Sequence, residues 1–298
     1  MSTASLFRLL LLAAIWGASF LFMRIAVPAL GPAWLIAARV LLAALLLWAV
    51  ARALGEPPLG LRRHARHYLV LGLFNTALPF LCFAYAARTL PASLLAILNA
   101  TGPIWGALMA TLWQRTPLRP RAVAGLLLGV AGVALLLGVD PAAVQPGAGA
   151  AMAATLAATA CYGLASNYAR LAPTRGALAN AHGSMWTAVL WVLPALLLVP
   201  VPAVPAPGVG ATVLALGLLC TGVAYLLYFR LVADIGAAPA LTVGFLIPLF
   251  GVLWGWLFLG EAVGWHTLGG GLVVVLGTML VTGFDPRLLR TRKAVVHG

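Results

Sequence analysis

The chain has 298 residues, of which 63% are hydrophobic and only 8% are charged, and its formal net charge is +13. Soluble domains carry about 25% charged residues, so this composition excludes an ordinary soluble protein and indicates an integral membrane protein. The basic charge does not indicate nucleic-acid binding, because the arginines are divided among several segments and form no single patch.

Apolar segments recur along the whole chain, each close to the roughly 20 residues that a helix needs to span a bilayer. We predict an all-α integral membrane protein with ten transmembrane helices. In chain order, the predicted spans are residues 7–26, 33–51, 68–87, 93–113, 122–138, 149–168, 181–199, 208–229, 236–260 and 267–283. The loops between them are short, and residues 284–298 form a basic tail.

The basic residues are concentrated in alternate loops. When the ten spans are followed in order, 15 of the 18 arginines and lysines lie on the side of the membrane that holds the N-terminus. Only Arg24 and Arg88 fall on the other side, and Arg39 lies within the second span. Cytoplasmic loops of membrane proteins are rich in lysine and arginine. We therefore expect a multi-pass protein with both termini in the cytoplasm.

A near-constant offset of 145 or 146 residues links the two halves of the sequence. The matched pairs are Trp16 and Tyr162, Gly17 and Gly163, Arg24 and Arg170, Thr76 and Thr221, Phe80 and Tyr225, Phe83 and Tyr228, Pro103 and Pro248, Gly106 and Gly251, Gly125 and Gly270, and Gly132 and Gly277. Each half contains five spans, and an odd number reverses the orientation of the second half. We predict two inverted five-helix repeats, residues 7–138 and 149–283, an arrangement that recurs in secondary transporters.

Several short motifs follow one another along the spans. They are Trp16-Gly17-Ala18-Ser19-Phe20 in the first span, Arg39 in the second, Pro103 and Pro248 in the fourth and ninth, and Leu259-Gly260-Glu261 closing the ninth. In this order they make the chain resemble the drug/metabolite transporter superfamily and, within it, the EamA type with two five-helix repeats. The family often has a Gly-Glu pair after the fourth span as well, whereas this chain has Arg115 and Thr116 there.

The resemblance implies a secondary transporter of small metabolites in the bacterial inner (plasma) membrane, acting as an exporter or exchanger by alternating access. Neutral or aromatic amino acids are the substrates that it favours, as in amino-acid exporters of the YddG kind. Efflux of cationic drugs or other metabolites by the same fold is the alternative. A channel or lipid-handling protein would share the apolar composition, but it would not need two interconverting halves.

The sequence offers little support for catalysis. The five acidic residues all fall in loops or at span ends, and they are Glu56, Asp140, Asp234, Glu261 and Asp285. No carboxylate pair is placed for acid–base chemistry, and no phosphate-binding loop of the Walker type is present. The three cysteines lack metal-ligand spacing. We expect no catalytic residues, no cofactor and no metal, so the partners are the lipid bilayer and a small-molecule substrate.

Polar and aromatic residues inside the spans are the candidates for substrate binding, since polar side chains within a bilayer face the protein interior. The candidates are Trp16, Ser19, Arg39, Asn75, Thr76, Phe80, Phe83, Asn99, Tyr162, Ser166, Asn167, Thr221, Tyr225 and Tyr228. A cavity that mixes a few polar donors with aromatic rings suits a small amphipathic solute. The alternative is that many of them form interhelical hydrogen bonds, worth about 0.6 kcal/mol each.

Three further features have two interpretations each. Arg39 is costly within a bilayer, so it either recognises a substrate carboxylate or caps backbone carbonyls as a structural residue. Pro103 and Pro248 remove a backbone hydrogen bond and predict matched kinks, which act either as hinges or as static bends. The glycines of the fifth and tenth spans allow close helix packing, within a monomer or between the copies of a homodimer.

Overall fold

The structure is a computed structural model that describes residues 2–57, 59–115, 117–136, 145–171, 176–200, 204 and 206–283. Within these ranges the chain is all-helical and contains no β-strand. Six helices are long and apolar enough to cross a membrane, namely Thr3–Ala53, Arg63–Ala86, Ala92–Trp113, Ala148–Ala169, Pro207–Ile235 and Trp265–Thr282. The predicted tail and the last two residues of the predicted fifth span lie outside the described residues.

The helical elements follow one another with few connecting residues. They are α1 (Thr3–Ala53), α2 (Leu61–Leu71), the π-helical segment π1 (Gly72–Ala77), α3 (Leu78–Ala86), α4 (Ala92–Asn99), α5 (Gly102–Gln114), α6 (Pro120–Leu136), α7 (Ala148–Leu171), α8 (Ala177–Leu197), α9 (Pro207–Leu214), the π-helical segment π2 (Ala215–Val223), α10 (Ala224–Ile235), α11 (Ala237–Ala240), α12 (Val243–Leu259) and α13 (Trp265–Thr282).

Helix α1 consists of two arms that fold back on each other at Gly31. Gly31 has φ 71° and ψ 164°, which are not helical values, and it lies next to Pro32. Nη1 of Arg39 lies 3.7 Å from Sδ of Met23, although these residues are 16 positions apart. In a straight helix the same separation would be about 24 Å. The first arm, before Gly31, and the second arm, after it, therefore run side by side.

The bundle has two ends, which we name after Arg8 and Glu261. At the Arg8 end, the side chain of Arg8 pairs with Asp234 at the C-terminus of α10. At the Glu261 end, Nη1 of Arg24 donates to the carbonyl oxygen of Ala87 over 2.8 Å. At the same end, the backbone N–H of Ser93, which follows Ala87 in the chain, donates to the carboxylate of Glu261. Arg8 and Arg24 are 16 residues apart on one helical arm, so the two ends are separated by about 24 Å.

Helices α6 and α13, the predicted fifth and tenth spans, pack directly against each other. A Cβ atom added to Gly125 would lie 2.6 Å from the carbonyl oxygen of Gly277, and one added to Gly277 would lie 2.7 Å from that of Gly125. Gly132 and Gly270 make the same reciprocal approach, with both distances 3.0 Å. Only glycine allows two helices to come this close, so these positions exclude larger residues.

Close contacts also repeat at the sequence offset. A Cβ atom added to Gly17 would lie 2.9 Å from the backbone nitrogen of Gly251. One added to Gly163, the counterpart of Gly17, would lie 2.8 Å from the backbone nitrogen of Gly106, the counterpart of Gly251. The same approach between helices is thus made twice, by residues 145 or 146 positions apart.

The two π-helical segments take part in a second pair of repeated contacts. In π1, a Cβ atom added to Gly72 would lie 2.9 Å from the carbonyl oxygen of Ser184 in α8. In π2, one added to Gly217 would lie 3.2 Å from the carbonyl oxygen of Arg39 in the second arm of α1. Gly217 and Ser184 are 145 residues beyond Gly72 and Arg39, so each π segment packs on the equivalent helix of the other half.

Two predicted spans are broken helices. The predicted fourth span is interrupted at residues 100–101, between α4 and α5, and the ninth at residues 241–242, between α11 and α12. Pro103 lies in the first turn of α5, where a missing N–H leaves no bond unmade, whereas Pro248 lies inside α12. The two prolines therefore differ in their position relative to the breaks. Matched kinks, and a hinge at either proline, stay predictions.

Candidate functional site

A cavity of about 700 Å³ lies at the centre of the bundle. Of the 14 residues that the sequence predicts to bind substrate, 13 line it: Trp16, Ser19, Arg39, Asn75, Phe80, Phe83, Asn99, Tyr162, Ser166, Asn167, Thr221, Tyr225 and Tyr228. Pro103 lines it as well, and Pro248 does not. The structure thus gathers residues from both halves of the chain around one space, while their contact with a substrate stays a prediction.

Thr76 is the predicted site residue that the structure leaves out of the cavity lining. It lies within π1, is fully buried, and its hydroxyl has no hydrogen-bond partner among the described residues. The lining also includes side chains that were not predicted, among them Phe20, Met23, Cys220, Thr242, Phe245 and Thr282. Phe20 follows Trp16 by four positions and Met23 follows Ser19 by four, so helical spacing from predicted residues was a usable signal for both.

Arg39 carries a buried positive charge on the cavity wall. The residue is 5% exposed, and its Nε donates a hydrogen bond of 2.9 Å to Oγ1 of Thr221 in π2. Its guanidinium carbon lies 3.7 Å from the centre of the Phe80 ring, an arrangement that stabilises a cation over an aromatic face. These contacts fix the guanidinium, but neither neutralises it.

The contacts of Arg39 differ from those of a structural arginine in the same helix. Arg24 donates to the backbone carbonyls of Ala87 and Arg88, as expected for a residue that caps a helix end. Within the described part of the chain, Arg39 instead donates its hydrogen bonds to side chains, those of Thr221 and Met23. Among the described lining residues there is no aspartate or glutamate. The geometry therefore suits recognition of an anionic group better than carbonyl capping.

Aromatic rings form two parts of the cavity wall. Phe83 stands between Phe20, at a ring-centre distance of 5.4 Å, and Tyr162, at 6.2 Å. Trp16 and Tyr228 lie 5.6 Å apart and connect the first arm of α1 to α10. Such rings provide flat apolar surface at small conformational cost, so this wall fits the apolar body of a ligand.

The asparagines of the lining are partly used for interhelical hydrogen bonds, as the alternative interpretation expects. Nδ2 of Asn167 donates to the carbonyl oxygens of Gly106 and Gly163, both over 2.9 Å, at the place where these glycines bring α5 and α7 together. Nδ2 of Asn75 donates to the hydroxyl of Tyr225 over 3.3 Å. These side chains hold the walls in place and leave their amide oxygens as neutral acceptors.

The lining extends from the middle of the bundle to the Arg8 end. Ala110 in α5 and Thr282 at the C-terminus of α13 both belong to it, and both lie many residues from the Glu261 end of their helices. At the Glu261 end, Oε1 of Glu261 accepts from the backbone N–H of Ala92 over 2.6 Å. That carboxylate satisfies the first turn of α4, where the helix dipole favours a negative charge.

The model of the EamA-like transporter family matches residues 3–138 and 149–283, which together make up most of the chain. The chain belongs to the EamA-like transporter family. No protein of curated function matches it. Fourteen chains of solved structures do. One of them, titled "Crystal structure of protein", shares 18% identity and a TM-score of 0.66, over 97% of this chain and 99% of that chain.

Membership of the EamA-like transporter family makes this a multi-pass membrane protein that transports small substrates. The predicted resemblance is thus confirmed at the level of the family. The solved structure shows that the fold recurs at low sequence identity. Among the described residues, no group of three or more histidines, cysteines or acids lies close enough to hold a metal ion.

Proposed function

We propose that this EamA-family protein is a secondary carrier of small amphipathic solutes that bear a carboxylate, neutral or aromatic amino acids first among them. It moves them across the bacterial inner membrane by alternating access, as an exporter. The observation that carries the proposal is the buried Arg39 guanidinium on the wall of a central cavity with no acidic lining residue in the described chain.

The proposed architecture is ten transmembrane helices in two inverted five-helix halves. Helix α1 is 51 residues long, about 75 Å of helix, which supplies two crossings of a hydrocarbon core about 30 Å thick. The reciprocal approaches of Gly17 to Gly251 and of Gly163 to Gly106 support a two-fold relation between the halves. Such a relation gives a carrier two equivalent packings of its halves, one open to each side.

The size and chemistry of the cavity support an amino-acid-sized ligand. Its volume of about 700 Å³ lies within the range of small-molecule sites, which is about 300–1,000 Å³. The guanidinium of Arg39 presents its donors in a planar fork that matches a carboxylate. Phe83 and Tyr162 provide apolar surface for the remainder of the ligand.

Carrier action is supported by the difference between the two ends of the bundle. The cavity lining reaches the Arg8 end, whereas at the Glu261 end hydrogen bonds join α12 to α4 and α1 to the α3–α4 turn. A channel would need a path to both ends at once. With the Arg8 end in the cytoplasm, as the distribution of basic residues favours, this state receives substrate from the cytoplasm, as an exporter requires.

Counterflow in proteoliposomes tests the proposal. Vesicles are preloaded with an unlabelled amino acid, and the entry of the same labelled compound is followed. We expect a transient overshoot with neutral or aromatic amino acids, its loss in Arg39→Gln, and its persistence in the control Arg52→Gln, an exposed arginine of the same helical arm. No overshoot from folded protein with any amino acid, or full activity of Arg39→Gln, would contradict the proposal.

A further inference from the structure

We infer that the cavity selects organic monoanions, and that an aromatic or branched monocarboxylate without an ammonium group binds better than the amino acid of the same shape. The inference rests on the proposed function and names the charge of the ligand that the site prefers. Among its described residues, the cavity lining contains one cationic side chain and no anionic one.

The charge of the lining is +1. Arg39 is its one charged residue within the described chain, since the described acids Glu56, Asp234 and Glu261 are absent from the lining. Asp234 is paired with Arg8 and Arg230, and Glu261 is bound to the N-terminus of α4. An unpaired charge in a low-dielectric interior is costly, so a ligand of charge −1 gains the most by entering.

The guanidinium of Arg39 has donors that remain available to an anion. Arg39 uses Nε and Nη1 for its hydrogen bonds to described residues, so its Nη2 donors remain uncommitted among them. Thr221 already donates its hydroxyl hydrogen to the carbonyl oxygen of Leu216 over 2.9 Å while it accepts from Arg39, so it has no donor left for a ligand. The arginine is thus held in place with part of its fork free.

Ser19 also lines the cavity, but its hydroxyl is not a second donor for a ligand. The hydroxyl oxygen is buried and lies beside the thiol of Cys220, which is a weak hydrogen-bond partner. The guanidinium of Arg39 gives a carboxylate a charge-assisted hydrogen bond, which is stronger than one from a neutral hydroxyl. The preference for an anion therefore rests on Arg39.

The same wall has no charged counterpart for an ammonium group among its described residues. Its other polar groups are neutral, so an ammonium would find only neutral acceptors, such as the amide oxygens of Asn75 and Asn167, and the faces of aromatic rings. A zwitterion would bring a second cation into a space that already holds Arg39. It would lose the hydration of that ammonium without gaining a salt bridge. The ammonium group of an amino acid therefore weakens binding here.

The aromatic rings of the cavity wall determine which apolar group of a ligand can bind. Phe83 and Tyr162 are nearly parallel, with an interplanar angle of 26°, and Trp16 and Tyr228 face the same cavity. A planar ring or a branched aliphatic chain buries apolar area against such surfaces. The preferred ligand class is therefore the 2-oxo, 2-hydroxy or deamino form of an aromatic or branched-chain acid.

Three ligands that share a phenyl group and differ in charge test the preference for an anion. They are 3-phenylpropanoate, an anion, phenylalanine, a zwitterion, and phenethylamine, a cation. Binding to the purified full-length protein is measured by calorimetry in detergent, because the permeability of the anion's protonated form would obscure its transport. We expect 3-phenylpropanoate to bind at least about tenfold more tightly than phenylalanine, and phenethylamine not to bind.

Two variants assign the preference to Arg39. In Arg39→Gln the advantage of the anion over phenylalanine disappears, while Arg52→Gln retains it.

Counterflow of phenylalanine in parallel vesicles separates the preference for monoanions from the proposed transport function. Equal or tighter binding of phenylalanine, with counterflow intact, overturns the inference and leaves the proposed function standing. No binding of either acid, together with no counterflow, overturns both. Binding of phenethylamine overturns the inference and favours cationic substrates.

Discussion

The carboxylate of Glu261 accepts two hydrogen bonds from Ser93, one from its backbone N–H over 3.0 Å and one from its hydroxyl over 2.7 Å. This contact joins the C-terminal end of α12 to the first turn of α4, across residues 168 positions apart. Alternating access requires the Glu261 end to open, and opening must break this contact. Glu261 therefore stabilises the state in which the cavity reaches the Arg8 end.

Removal of this carboxylate should favour opening at the Glu261 end. In Glu261→Ala we expect Cys220, a buried residue of the cavity lining, to react faster with an impermeant maleimide supplied from that side. The background carries Cys82→Ala and Cys161→Ala, so that one thiol reports. The control Glu56→Gln changes an exposed acid outside the cavity and should label at the parental rate. Unchanged labelling of Glu261→Ala would show that the contact does not control opening.

Arg115 adopts a backbone conformation that suits glycine. It has φ 52° and ψ 34°, and its counterpart in the other half is Gly260, with φ 62° and ψ 26°. We expect Arg115→Gly to raise the free energy of unfolding by about 0.5–1 kcal/mol, because relief of the left-handed strain exceeds the added entropy of the unfolded chain. Thermal unfolding in detergent measures it. Arg119→Gly, which relieves no such strain, should not stabilise, and a lower melting temperature for Arg115→Gly would refute the expectation.

The packing of α6 against α13 predicts opposite effects for two glycines. In Gly125→Ala the new Cβ atom would lie 2.6 Å from the carbonyl oxygen of Gly277, so we expect the free energy of unfolding to fall by about 1–3 kcal/mol. Gly269, inside α13, has no atom within 4 Å of the same position. Gly269→Ala should therefore stabilise by about 0.5–1 kcal/mol through helix propensity. Equal effects of the two substitutions on thermal unfolding would argue against the close packing.

Thr221 orients Arg39 but carries no charge. Replacing Thr221 therefore disturbs the orientation of the guanidinium and leaves the charge of the cavity unchanged. We expect Thr221→Val to raise the apparent KM in counterflow by about tenfold and to leave the maximal rate largely intact, because a hydrogen bond to a charged group is worth about 1.5–3 kcal/mol. Thr212→Val, in α9 of the same long helical stretch and outside the cavity lining, should retain the parental KM. A parental KM for Thr221→Val would mean that Phe80 and Met23 position the guanidinium without Thr221.

The apolar helices and most of the cavity lining were predictable because both depend on patterns of single residues. Hydropathy locates the apolar helices, and the offset of 145 or 146 residues pairs Phe80 with Tyr225 and Phe83 with Tyr228, all of which line the cavity. The rule that polar residues in a span face inward then selects Arg39. A single sequence reveals these signals because they depend on the chemistry of individual residues and not on how the helices pack.

The local departures from the α-helix were not predictable in the same way. Thr76 was expected on the cavity wall from α-helical spacing, but it lies in π1, where that spacing does not hold. The breaks at residues 100–101 and 241–242 also lack a distinctive signal. Thr101 and Thr242 bond there to the carbonyl oxygens of Leu98 and Pro239, three residues earlier, as threonines do at many turns. Tertiary packing, which a single sequence does not reveal, decides these positions.

The π segments have a consequence for how this chain can change in length. A π turn holds about one residue more than an α turn, and one residue corresponds to about 100° of rotation around the helix. Phe80 and Phe83 follow π1, and Tyr225 and Tyr228 follow π2, so each π turn accommodates one extra residue without changing the direction in which these rings point. Loss of one residue within a π segment would convert the π turn to an α turn and leave the rings on the cavity wall. In related sequences, single-residue gaps inside these two spans should therefore fall at residues 72–77 and 215–223, and other gaps should gather in the loops.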